Sequence, residues 1–147
     1  MPADAPRQAH TPWHLWIVGV LGLLWNSVGA FDYVMMQSRS ASYMTRFTPE
    51  QLGILLNLPR WLVALWALAV WGGALGALLV LVRRGLATRV LLTSLVAMTA
   101  TAIHNFTSTG GLYSTGGTSP AFVLLIFAVA LGLWLYARAM AHRGILD

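Results

Sequence analysis

Residues 14–36 read HLWIVGVLGLLWNSVGAFDYVMM, an apolar run long enough to cross a lipid bilayer. As a helix rising about 1.5 Å per residue, it reaches about 35 Å, enough to cross a hydrocarbon core roughly 30 Å thick. Asp32 lies near the end of this run, where a charged side chain is unfavourable unless it is compensated. The run therefore predicts a membrane-spanning helix with one carboxylate that needs a partner or a function.

The composition assigns the whole chain to one class of protein. Hydrophobic residues make up 58% of the 147 positions and charged residues only 9%, whereas soluble domains carry roughly 25% charged residues. We therefore predict a single integral membrane domain over residues 1–147. The absence of cysteine excludes disulfides, thiolate catalysis and cysteine-ligated metals. The net charge of +5 comes from arginines that flank apolar segments, which favours a topological role over a nucleic-acid surface.

Three further apolar segments follow the first. The predicted spans are about 14–36, 60–82, 88–108 and 120–140. Lipid cannot satisfy backbone polar groups, so each span must be helical. The predicted fold is an all-α, four-helix membrane bundle.

The arginines predict the orientation of this bundle. Six arginines fall in the tails and in the loop between spans two and three: Arg7, Arg83, Arg84, Arg89, Arg138 and Arg143. Only Arg39, Arg46 and Arg60 fall in or beside the first loop. Both termini are thus predicted to be cytoplasmic, with loops 37–59 and 109–119 outside. A cleaved signal peptide ending at Val28-Gly29-Ala30 is the less favoured alternative, because the apolar run continues past that site.

The two outer loops differ in character. Thr48-Pro49-Glu50-Gln51 is a capping box with proline at the first helical position, which predicts a short helix at the outer interface. The second loop repeats Ser-Thr-Gly-Gly at 108–111 and 114–117. This composition favours a flexible linker over a sugar- or phosphate-binding loop.

Small residues form stripes on the first two spans. Gly22, Asn26 and Gly29 recur on one face of span one, and Gly72 and Gly76 form a Gly-x-x-x-Gly element on span two. Such surfaces let membrane helices approach closely. Packing within the bundle is favoured over a dimer interface.

Polar side chains converge on the outer third of the bundle. Asp32 and His104 each lie about 6 Å below the outer end of their spans. Tyr33, Asn105 and Arg60 fall at the same level, and Arg39 would share the face of Asp32 if the helix continued. Arg39, Arg60 and His104 are the candidate partners of Asp32. Two interpretations stay open: a closed structural lock, or an outward-facing pocket for a proton or a ligand.

Other chemistry is sparse. The sequence contains no Walker loop, no dinucleotide fingerprint and no nucleophile–base spacing, so we predict neither an enzyme nor a cofactor. A lipid-acting enzyme with Asp32 and His104 as its acid–base pair is a distant alternative. Met35, Met36, Met44 and His104 would suit copper(I), but methionine is ordinary filler in membrane proteins, and no metal site is predicted.

Several motifs together resemble a family of small bacterial four-helix inner-membrane proteins that are often labelled sugar transporters. They are Trp25-Asn26-x-x-Gly29-Ala30-Phe31-Asp32-Tyr33, Arg39, Tyr43-Met44, Phe47-Thr48-Pro49-Glu50-Gln51-Leu52, Pro59, Trp61 and Trp66-Ala67-x-x-x-Trp71-Gly72. The resemblance covers roughly residues 13–105 and is loose in the last span. It implies a bacterial inner membrane, and it implies that the region of Asp32, Arg39 and Glu50 is characteristic of the family. The label carries no defined mechanism.

Two functions follow as expectations. The first is an oligomeric transporter of a small solute, sugar-like or proton-coupled, because four helices are few for a carrier that acts alone. The second is a non-catalytic accessory or assembly subunit of a larger membrane complex. The expected partners are the lipid bilayer, further copies or a larger complex, and a small solute.

Overall fold

The computed structural model describes residues 11–107 and 119–146. Four of its helices are long and apolar enough to cross a membrane: α1 (Trp13–Gln37), α4 (Arg60–Leu81), α5 (Leu86–Thr107) and α6 (Pro120–His142). Their lengths of 25, 22, 22 and 23 residues correspond to about 33–38 Å. The chain is an all-α membrane protein with a four-helix bundle, as predicted.

Two short helices lie between α1 and α4. They are α2 (Ala41–Met44) and α3 (Pro49–Leu56). The predicted capping box of α3 is confirmed, since Gln51 N donates to Thr48 Oγ1 at 3.3 Å and Thr48 N donates to Gln51 Oε1 at 3.1 Å. Hydrogen bonds from its own backbone N–H and from Thr48 lower the pKa of Glu50 in the first turn. The loop from 38 to 59 is therefore a folded segment.

The helices alternate in direction, and α4 lies between α1 and α5. We call the end that carries residues 38–59 the loop end. The opposite end carries the α4–α5 turn with Arg83 and Arg84, and we call it the arginine-rich end. The repeated Ser-Thr-Gly-Gly loop, Arg7 and residue 108 of the predicted third span lie outside the described residues.

Small side chains bring α4 close to its two neighbours. A Cβ on Gly76 would lie 2.5 Å from Leu91 of α5, and one on Gly72 would lie 3.1 Å from Ser94 Cβ. Ser94 also donates a hydrogen bond of 2.5 Å to the carbonyl of Ala69. Close approach of α4 and α5 is therefore possible only because these positions lack side chains.

The small residues of α1 allow a similarly close approach of α1 to α4 and α6. A Cβ on Gly22 would lie 3.1 Å from Leu133 of α6, and one on Gly29 would lie 3.4 Å from Val70 of α4. Asn26 occupies the space that a side chain at Gly73 would need, and its amide donates to the Gly22 carbonyl at 2.7 Å. These contacts are made within the chain.

The buried core is concentrated at the arginine-rich end. It is formed by the first turn of α1, the end of α4, the start of α5, the end of α6 and the chain beyond it: Leu15, Ala77, Val80, Ala87, Leu91, Leu133, Ala137, Met140 and Leu146. His14 Nδ1 and Tyr136 Oη also join α1 to α6 at this end, at 2.5 Å. The loop end lies outside this cluster, and Leu62 and Met36 are buried separately there.

Candidate functional site at the loop end

Asp32 is held by a side chain from the loop. Tyr43 of α2 donates a hydrogen bond from its phenolic oxygen to Asp32 Oδ1. Both residues are half-buried. A hydrogen bond to a charged acceptor is stronger than one between neutral groups, so it offsets part of the unfavourable placement of the carboxylate.

Aromatic neighbours position Tyr43. Its ring meets Phe31 edge-on with centroids 6.2 Å apart and lies 5.8 Å from the ring of Phe47. The guanidinium carbon of Arg46 lies 4.9 Å from the Tyr43 centroid, within cation–π range. Burial raises the pKa of Tyr43 to about 12, with the hydrogen bond and the negative charge of Asp32 adding to it and Arg46 opposing it. The phenol therefore stays a proton donor at neutral pH.

The arginines predicted as partners lie elsewhere. Within residues 11–107 and 119–146, no hydrogen bond or ion pair joins Asp32 to Arg39 or Arg60. The helix does not continue to Arg39, because α1 ends at Gln37. Arg39 consequently does not share the helical face of Asp32.

Arg39 adopts an unusual backbone conformation, with φ of 51°. It closes a Schellman motif, in which Arg39 N donates to Met36 O at 3.1 Å and Ser40 N donates to Met35 O at 3.2 Å. The same motif ends α6 with Gly144 at φ of 67°, the residue expected there. For a residue with a Cβ the left-handed conformation costs roughly 1–2 kcal/mol. A strained position of this kind is a reason to look for a function nearby.

A cavity of about 160 Å³ lies beside Arg39, between the end of α1, α3 and the start of α4. Its polar lining comes from Arg39 and Gln37 at the end of α1. Its apolar walls are Met36, Leu55, Leu56, Leu58 and Val63. A planar guanidinium and an amide over apolar walls can bind a small solute that accepts hydrogen bonds.

The remaining candidates lie at the same end but contact aromatic side chains. Tyr33 meets Trp66 edge-on with centroids 5.1 Å apart, and His104 meets Trp61 in the same way at 5.1 Å. Asn105 is half-buried beside His104. Arg60 is exposed as the first residue of α4. The predicted residues thus share the loop end of the bundle, and Tyr33 and His104 each pack against a tryptophan of α4.

Residues 11–107 and 119–146 contain no group of three histidine, cysteine, aspartate or glutamate residues that could hold a metal ion. No family model matches the chain, and no curated protein or solved structure matches it either. The site must therefore be interpreted from its own geometry.

Three contributors to the site were not predicted from the sequence: Tyr43, Gln37 and the left-handed backbone at Arg39. Tyr43 is separated from Asp32 by 11 residues, and only the fold of the loop brings them together. One signal was available, since Phe31 and Phe47 bracket Asp32 and Tyr43 with aromatic residues that can pack together.

Proposed function

We propose that this protein binds a small, hydrogen-bond-accepting solute at the loop end and moves it across the membrane as an oligomer. The observation that carries the proposal is Arg39, which is held in a strained conformation at the edge of a cavity with Gln37. Glycine would fill that backbone position at lower cost. The presence of arginine at this position is explained if its guanidinium is needed in the cavity.

The size of the cavity limits the solute. Sites for drug-sized ligands measure roughly 300–1,000 Å³, and this one is about 160 Å³. A carboxylate or phosphate ion, or a single sugar ring, suits that volume better than a nucleotide or a larger cofactor. Both kinds of solute accept hydrogen bonds from a guanidinium and an amide.

Two features support movement of the solute. The main buried cluster lies at the arginine-rich end, and buried apolar contacts make local opening costly, which favours rearrangement at the loop end. Asp32 and Tyr43 connect α1 to the loop whose helix α3 forms one wall of the cavity. Displacement of the loop would break this hydrogen bond and move the α3 wall of the cavity.

An oligomer is supported by the open face of α6. Ala128 and Gly132 are exposed and form a small-x-x-x-small element, and nothing lies within 4 Å of a Cβ placed on Gly132. Leu124 and Leu135 on the same flank are 70% and 49% exposed. Such a face suits close packing against a helix of another copy. Gly132→Ile should therefore shift the purified protein towards monomer.

In this proposal the protein lies in a bacterial inner membrane with both termini in the cytoplasm. The arginine distribution supports cytoplasmic termini and a loop end that faces outward. The family resemblance of residues 13–105 supports a bacterial inner membrane. The proposed chemistry is binding and transport, without an enzymatic step or a cofactor.

Uptake into proteoliposomes tests the proposal. A panel of sugars and small carboxylates would be compared between wild type, Asp32→Asn, Arg39→Gln and Arg83→Gln. Arg83 is the matched control, because it also has a positive φ, 58°, but lies at the arginine-rich end. We expect uptake of at least one solute to fall with the first two variants and to persist with the third. Absence of uptake across the panel, or equal loss in all three variants, would refute the proposal.

An accessory subunit is the second candidate, and the exposed α6 flank also favours it. In this case the face of α6 would contact a different membrane protein. Purification in several mild detergents should then recover a stoichiometric partner that Gly132→Ile removes. A homo-oligomer that stays alone under all these conditions would argue for the first function.

A further inference from the structure

A groove on the membrane-facing flank of the bundle lies between α4 and α5. It measures about 370 Å³ and lies far from the cavity at the loop end. Leu68, Trp71 and Leu75 form its wall on α4, with exposed fractions of 44%, 50% and 50%. Gly72 lies at the floor, where α4 and α5 approach each other closely. The groove therefore presents a continuous apolar surface to the lipid.

One end of the groove carries a positive charge. Arg89 lines it from the first turn of α5, and Val90 and Thr93 continue along the same helix. The hydroxyl of Thr93 is engaged with the backbone carbonyl of Arg89 at 2.9 Å. Arg89 therefore supplies the charge of the groove, on the side nearest the arginine-rich end of the bundle.

Among residues 11–107 and 119–146, no acidic side chain lies at the end of the bundle that carries Arg89. The acidic residues that the structure describes, Asp32 and Glu50, both lie at the loop end. Other arginines at the arginine-rich end have contacts of their own: Arg83 donates to Thr11 Oγ1 at 2.9 Å, and Arg138 lies 5.6 Å over the ring of Trp134. Among the described residues, the guanidinium of Arg89 has no such contact, and Arg84 lies exposed in the adjoining turn.

We propose that this groove binds one anionic diacyl phospholipid. Arg89, with Arg84 beside it, binds the headgroup phosphate, and an acyl chain lies along Trp71 and Leu75 over Gly72. The shape and the charge point to the same occupant, because basic pockets between membrane helices bind anionic headgroups while the apolar trough accepts the chain. This site is independent of solute binding at the loop end, so either proposal can fail alone.

Quenching of tryptophan fluorescence by brominated lipid tests the site in the full-length protein. The protein would be reconstituted with phosphatidylglycerol or phosphatidylcholine brominated on the acyl chains, at equal low mole fraction. The signal of Trp71 is obtained by subtracting the Trp71→Phe variant. We expect about a fivefold preference of the Trp71 site for the anionic lipid, equivalent to about 1 kcal/mol for one arginine.

Three variants make the test specific. Arg89→Gln should abolish the preference, Arg89→Lys should retain it, and Arg138→Gln should leave it unchanged. Equal quenching by both lipids in the wild type would overturn the proposal. So would a preference that survives Arg89→Gln. Protection of Trp71 from both lipids, together with cross-linking between copies through Trp71→Cys, would show that a second copy fills the groove instead and would also overturn it.

Discussion

Tyr43 donates its phenolic proton to the carboxylate of Asp32, and this hydrogen bond joins the loop between α1 and α4 to a membrane-spanning helix. Tyr43 is thus a partner that compensates part of the unfavourable placement of the Asp32 carboxylate. It stabilises the attachment of the loop to α1, and the same loop carries α3, which lines the cavity.

Tyr43→Phe should loosen the loop without unfolding the bundle. A hydrogen bond to a charged group contributes about 1.5–3 kcal/mol when buried, and less for a half-buried pair, so we expect about 1 kcal/mol. Hydrogen exchange of residues 38–47 should then accelerate about fivefold, while the core helices are unchanged. Tyr33→Phe is the control, since the ring of Tyr33 packs on Trp66 at the same end. Equal acceleration in both variants would contradict a specific role for the Tyr43 hydroxyl.

Alkaline pH should weaken the same contact. The pKa of Tyr43 is raised from 10.0 to about 12 in the folded protein. Its contribution to stability is therefore fully present below pH 10 and is lost as pH rises through 12, because the unfolded chain releases the proton first. The difference between wild type and Tyr43→Phe in phenolate absorbance should show a midpoint near pH 12. A midpoint near 10 would mean that Asp32 and burial do not act on this phenol.

Packing of α4 against α5 predicts unequal effects of two glycine substitutions. A Cβ at Gly76 would lie 2.5 Å from Leu91 in the core, whereas one at Gly29 would meet Val70 at an ordinary 3.4 Å. Gly76→Ala should destabilise the bundle by about 1–3 kcal/mol through overpacking. Gly29→Ala should be neutral or slightly stabilising, because alanine is the better helix former. Thermal unfolding in detergent compares the stabilities of the two variants. Equal unfolding midpoints would contradict the close approach of α4 and α5 at Gly76.

The sequence predicted the bundle well because its signals are strong and local. Apolar runs of sufficient length leave helix as the only conformation that lipid permits, and Thr48 with Gln51 marks the start of α3 within four residues. The level of Asp32, Tyr33 and His104 follows from helix rise alone.

The pairing of the polar residues could not be predicted in the same way. Depth along a span does not determine rotation about it, so residues at one level need not meet. Tyr43 reaches Asp32 only because α1 stops at Gln37 and the chain reverses through Arg39. A helix end of this kind is usually marked by glycine, and arginine gives no such signal.

Arg39 and Arg83 provide the last prediction, because both close a Schellman motif with positive φ, at 51° and 58°. Glycine removes the strain at either position, so Arg39→Gly should stabilise the protein by about 0.5–1 kcal/mol. Arg83→Gly should gain less, since it also loses the hydrogen bond to Thr11. Solute uptake should respond in the opposite order, falling in Arg39→Gly and persisting in Arg83→Gly. Thermal unfolding checks the predicted stabilities, and uptake measured on the same preparations checks the predicted activities. If Arg39→Gly were less stable than wild type, the guanidinium would be acting as a structural group, and the strain at this residue would need no functional explanation.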